Sequence, residues 1–130
     1  MPDDENYIKT LGDQEMARSL RLRFWAVRAV LTAPRSAMEE HLASHFDFIR
    51  EQGRAGRIFA SGPLLGEDGA QIGEGLLIFR GESKAEIQAL FETDPLYIYG
   101  IRTYEIREWQ VNVGKIQLSV DIYTSGGTIN

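Results

Sequence analysis

Twice along this chain a serine is followed three residues later by a glutamate, at Ser36 with Glu39 and at Ser83 with Glu86. A serine that can cap a helix, with a glutamate one turn on to reach back, is a capping-box signature. Each pair opens a stretch with apolar residues every three or four positions. Each stretch is flanked by short runs rich in β-branched and aromatic residues. That alternation restricts the fold more than any other feature.

Residues 24–31 read as a first strand, buried on at least one face, and ended before Pro34. The helix opening at Ser36 has the expected inward stripe Met38, Leu42, His45, Phe46 and Ile49. Gly53 and Gly56 bracket its end, where a positive φ is common. Residues 57–62 form a second strand, stopped by Pro63, which cannot continue a central ladder. Gly66, Glu67, Asp68 and Gly69 suit a hairpin connection to a third strand over 72–80. The second helix spans 84–93, with Ile87, Leu90 and Phe91 inward, and Asp94 with Pro95 ends it. Residues 96–101 then form a turn. Residues 103–111 alternate as a fourth strand, whose inward set is either Tyr104, Ile106 and Glu108 or Thr103, Glu105, Arg107, Trp109 and Val111. An apolar run over 116–123 has the character of a further strand before a Gly126, Gly127 tail.

The order β-α-β-β-α-β is the split βαβ, or ferredoxin-like, arrangement of the α+β class: an antiparallel sheet with both helices on one face. The expected organisation is an N-terminal extension over 1–22, the ferredoxin-like domain over 23–113 and a C-terminal extension over 114–130. The extension over 1–22 reads as a short amphipathic helix or a loose arm; its Arg18 and Arg21, with Arg23 directly after it, would suit docking on a partner. The sheet face away from the helices carries apolar side chains from 24–31 and 76–79, and such a face needs a cover. A homodimer packed sheet on sheet supplies it, with a higher oligomer open, and leaves a cavity between each sheet and its helices.

Composition narrows the function. The 130 residues carry 19 acidic against 14 basic side chains and a net charge of −5. No Lys/Arg block stands out, so nucleic acid is not an expected partner. The absence of cysteine excludes disulfides and thiolate chemistry and fits a cytoplasmic protein. No stretch reaches the roughly 20 apolar residues of a membrane span, and the acidic start is unlike a secretory signal. Gly73 and Gly75 lie inside a strand with no helix after them, so they form no phosphate loop, and no cofactor is expected. His41 and His45, one turn apart, lack the glutamate placement and the cysteine ligands of a zinc site; no metal is expected.

That leaves His45 as the group best suited to proton chemistry near neutral pH. It stands in an apolar stripe, where an imidazole must be hydrogen-bonded or line a cavity. Its position 17 residues before Gly62 matters, because the chain resembles the YCII-like proteins of the dimeric α+β barrel group. The resemblance is carried by His45, the run 56–63 ending in Ser61, Gly62 and Pro63, the run 73–80, Asp94 with Pro95, Gly100 to Arg102, and Trp109 followed by Asn112. The family pattern has the same 17-residue separation between a helix histidine and its Gly-Pro, and His41 is out of that register.

The resemblance implies a dimeric α/β barrel of ferredoxin-like subunits with a His–Asp pair in its pocket. Here that pair becomes His45 and Asp94, with Ser61 and Arg102 as substrate-binding candidates. Relatives include isomerases, monooxygenases without cofactors and a dehydrochlorinase. It implies a cofactor-independent isomerase or lyase acting on a small cyclic or aromatic molecule. A non-catalytic ligand-binding or accessory dimer is the alternative. Tyr97 and Trp109 are candidates to line an aromatic pocket, though aromatics in strands and turns are usually core. Arg102 could grip a carboxylate or phenolate through its fork of donors. Asp94 has a plainer role open to it as well, ending the second helix before Pro95.

Overall fold

The computed structural model describes residues 13–14, 22–122 and 126–129, the last four for their backbone only. Most of the N-terminal extension therefore lies outside the described residues, including Arg18 and Arg21. Two compact units divide the chain: Arg23–Gln110, and the residues on either side of it.

The larger unit is an α+β fold. Strand β1 (Leu22–Leu31) is followed by a 3-10 helix (Arg35–His41) that runs into α1 (Leu42–Arg54). Strands β2 (Ile58–Leu65) and β3 (Gln71–Phe79) form a hairpin; α2 (Lys84–Phe91) and the one-turn α3 (Pro95–Ile98) then lead to β4 (Arg102–Val111). The sheet order is β2-β3-β1-β4, the ferredoxin-like order, with β3 antiparallel to both β1 and β2. Beyond it, β5 (Leu118–Asp121) pairs antiparallel with β6 (Gly126–Ile129) in a sheet of its own. The fifth strand is thus half of a hairpin, and the expected glycine tail is its other half.

Alternation on the strands sorts the faces. Trp25, Val27 and Ala29 pair with Phe79, Leu77 and Gly75. Trp25, Val27, Ala29, Leu77 and Phe79 form one core with Phe48 of α1, Ile87 and Phe91 of α2, and Ile106 and Tyr104 of β4. Packing therefore resolves the symmetric pattern of β4: Tyr104 and Ile106 face inward. The opposite face of the sheet carries Phe24, whose ring lies 4.9 Å from Phe59 and 6.3 Å from Trp109, together with Leu76, which is 41% exposed.

Strand β2 departs from simple alternation. Ile58 pairs with Phe79 and Ala60 with Ile78, so Phe59 is an extra residue, a β-bulge. Both Phe59 and Ala60 then lie on the outer face, and Ser61, opposite Leu77, turns inward. Pro63 does not stop this strand. It pairs with Gly75 inside β2, as an edge strand permits, since no ladder need use its missing N–H. A second irregularity separates Pro63 from Leu65, and opposite it Gly73 adopts φ 83°.

The two capping boxes behave differently. Ser83 Oγ accepts from Glu86 N at 3.2 Å, and Glu86 reaches back to Glu82 N at 2.9 Å. Ser36 caps nothing: Pro34 precedes the 3-10 helix, which has no side-chain cap. Because that helix turns every three residues rather than 3.6, the stripe counted from Met38 slips in phase. His45, Phe48 and Gln52 are the buried positions of α1, while Phe46 is 49% exposed.

Candidate active site

Asp94 is placed by its proline. The residue before a proline is driven out of the helical region, and Asp94 takes an extended backbone (φ −70°, ψ 128°) between α2 and α3. Pro95 fits the first helical position of α3, and Asp94 Oδ1 accepts from Leu96 N at 3.2 Å as its cap. The capping role is therefore real. It does not use up the carboxylate, which is completely buried.

Two further groups converge on it. His45 Nδ1 lies 2.9 Å from Asp94 Oδ1, and the Tyr104 hydroxyl donates to Oδ2. A carboxylate accepts, so Nδ1 is the nitrogen that donates to it, and in the neutral ring Nε2 is the acceptor. No fully buried side-chain polar atom among the described residues lacks a partner. Nε2 has no such partner in this network, so it opens to the cavity that His45 lines.

The Tyr104 hydroxyl is a durable donor. Burial pushes its ionisation well above the ordinary tyrosine range, and the charge and hydrogen bond of Asp94 push it further. Arg102 acts in the opposite sense. The phenol ring is fixed against Phe91, with centroids 4.1 Å apart.

The cavity in front of Nε2 measures about 240 Å³. Met38, Leu42, Phe46, Ile49 and Leu77 make it largely apolar, while Ser61, Gln71 and Arg102 supply polar groups. It shares Met38, Leu42, Phe46 and Arg102 with an outer recess of about 400 Å³ that reaches Arg35. Arg102 stands where the two meet. Its Nε and Nη2 donate to Gly73 O at 3.0 and 2.7 Å, so the guanidinium is held by a neutral carbonyl.

The structure thus brings together four of the six expected site residues: His45, Asp94, Ser61 and Arg102. Tyr97 and Trp109 do not line the His45 cavity. Tyr97 lines a second cavity of about 360 Å³ on the far side of Tyr104, its ring 6.4 Å from that of Tyr104, and Trp109 sits on the outer face against Phe24. Tyr104 is a fifth member, which no motif of the sequence marks. Its inward position in the alternation of β4 was the available signal, and nothing local tied it to Asp94.

A family model, the YCII-related domain, matches residues 25–110. The chain belongs to the YCII-related family. All five residues of the cluster fall within the matched span. No curated protein matches the sequence. Among solved structures, this YCII-related chain is similar to a 5-chloro-2-hydroxyhydroquinone dehydrochlorinase from Burkholderia phenoliruptrix AC1100, in complex with 2,5-dihydroxybenzoquinone. The similarity has a TM-score of 0.54 at 20% identity, over 68% of this chain and 93% of the other, and it extends to the fold.

Proposed function

We propose that this YCII-related protein is a cofactor-independent enzyme that moves a proton on a small cyclic or aromatic molecule, in isomerisation or elimination. One observation carries the reading: a buried histidine is paired with a fully buried carboxylate while its other nitrogen opens to a cavity. The dehydrochlorinase of like fold supports the substrate class.

Nε2 would take a proton from an O–H or C–H of the substrate. The electron pair released forms a new C=O or C=C bond. In an elimination it expels a halide with its bonding pair; in an isomerisation the proton returns at another carbon. The ring becomes an imidazolium, and Asp94, still hydrogen-bonded at Nδ1, offsets that charge. Arg102 would face the anion that develops on the substrate, and Ser61 would orient an oxygen. The apolar wall of Leu42, Phe46 and Leu77 suits a ring and keeps water from competing for the charges.

Chloride release from 5-chloro-2-hydroxyhydroquinone and related halogenated phenols tests the reading. The expected result is turnover that falls by about 10² to 10⁴ in His45→Ala, the usual worth of a positioned base. Full activity in His45→Ala would refute the base assignment, and wild-type protein inert on the whole panel would refute elimination.

The protein also acts, on this reading, as a homodimer packed through the outer sheet face of Phe24, Phe59, Leu76 and Trp109, since an apolar face of that kind calls for a partner. Sedimentation should give a dimer that Leu76→Asp dissociates, and a wild-type monomer at micromolar concentration would remove the proposal. The cysteine-free composition suits a reducing cytoplasm.

A further inference from the structure

Asp94 serves three donors from three parts of the fold. Leu96 N and His45 Nδ1 share Oδ1, and Tyr104 holds Oδ2 from strand β4. A hydrogen bond to a carboxylate stabilises its charged form by spreading the charge. Donors on one carboxylate therefore compete, and whatever Tyr104 draws off is withheld from the imidazole.

We infer that Tyr104 is a positioning residue of the site: it fixes the plane of the Asp94 carboxylate and limits how strongly that carboxylate holds the proton on His45. The inference deepens the proposed function, because how readily Nε2 takes and returns a proton is what a base at this position must have set. Arg102 lines the same cavity as His45 and acts on Tyr104 as well; one turn before His45, His41 lies 4.0 Å from Glu40 and stacks on Tyr99. Among the described residues only Tyr104 and His45 reach Asp94 through titratable side chains. Ring packing against Phe91 and the high ionisation threshold keep Tyr104 a neutral donor throughout the working range of a histidine.

The test is an NMR titration of the His45 ring in the full-length protein without substrate. Tyr104→Phe keeps the ring and removes the hydroxyl; the His45 midpoint should rise by about half a unit to one unit, as the carboxylate turns its whole charge on the imidazole. Replacing Tyr104 by 3-fluorotyrosine, a stronger donor, should move the midpoint down. In an Asp94→Asn background the Tyr104→Phe step should leave the midpoint within about 0.2 unit.

A purely structural tyrosine would change stability in the first variant but would not give shifts of opposite sign in the two. An unmoved midpoint in both variants, or a fall in Tyr104→Phe, overturns the inference. If Tyr104→Phe does not fold, the fluorotyrosine protein alone decides. Because no turnover is measured, the outcome is separate from that of the proposed reaction. Paired shifts in a protein whose His45→Ala variant is fully active would keep the coupling and discard the catalysis.

Discussion

Replacing Asp94 by alanine should be among the most damaging single changes to this fold, and the cost can be built from its contacts. The cap on Leu96 N is lost, worth about 1 kcal/mol. The Tyr104 hydroxyl and His45 Nδ1 lose their acceptor, and each donor left unsatisfied in the interior costs about 1–3 kcal/mol. Set against this is relief from burying a carboxylate. Measured losses for breaking buried pairs from one side run to about 3–5 kcal/mol, and that is the range expected. It is a large part of the total stability of about 5–15 kcal/mol. For a domain of this size the melting temperature should fall by about 12–20 °C.

Urea unfolding followed by circular dichroism, with the slope unchanged from the parent, gives the number directly. Asp94→Asn keeps the volume and one acceptor oxygen, and should lose about 1–2 kcal/mol. In the Asp94→Ala background, Tyr104→Phe should cost much less than in the parent, a coupling of about 0.5–3 kcal/mol. An Asp94→Ala protein within about 1 kcal/mol of the parent would mean that the three donors have other partners, and the reasoning about the site would fail.

Two more expectations can be checked on the same protein. Tyr104 ionises at about pH 10 in the unfolded chain and higher in the fold, so its contribution is fully present below pH 10. As pH rises past 10 the unfolded state alone loses the proton, and stability should fall by about 1.4 kcal/mol per pH unit from this group. Urea midpoints at pH 9.5 and 10.5 should show a steeper loss in the parent than in Tyr104→Phe; equal slopes would contradict it. Gly73→Ala places a Cβ at φ 83°, 2.7 Å from Leu31 Cδ1 and 3.2 Å from Arg35 Cγ. A loss of about 1–3 kcal/mol is expected, read as a lower urea midpoint, and an unchanged midpoint would contradict the conformation assigned to Gly73.

What could be read in advance was what rests on local chemistry. Ser83 and Glu86 cap α2 because both bonds close within one turn. Ser36 and Glu39 show the same letters, but Pro34 leads into a 3-10 segment and the cap does not form. The phase error that follows explains why Phe46 was expected inside and Phe48 was not. Pro63 looks like a strand end in the sequence and is not one, because proline excludes a residue from a ladder only where its N–H is needed, and edge position is a property of the whole sheet. His45 and Asp94 are 49 residues apart, and no spacing rule joins them; family register did. Tyr104 had neither aid, since the alternation of β4 was symmetric until the helices covered one side.

The extra residue in β2 has a consequence for how the two faces of the sheet can vary. An extra residue held in a bulge is absorbed where it stands and leaves the pairing beyond it unshifted. Losing Phe59 would restore strict alternation with Ala60 still opposite Ile78 and Ser61 still opposite Leu77, so the hydroxyl would stay on the cavity side. The outer face would lose the ring that covers Phe24 in the same step. The outer face can thus gain or lose an aromatic by one residue of chain length while the cavity keeps its serine.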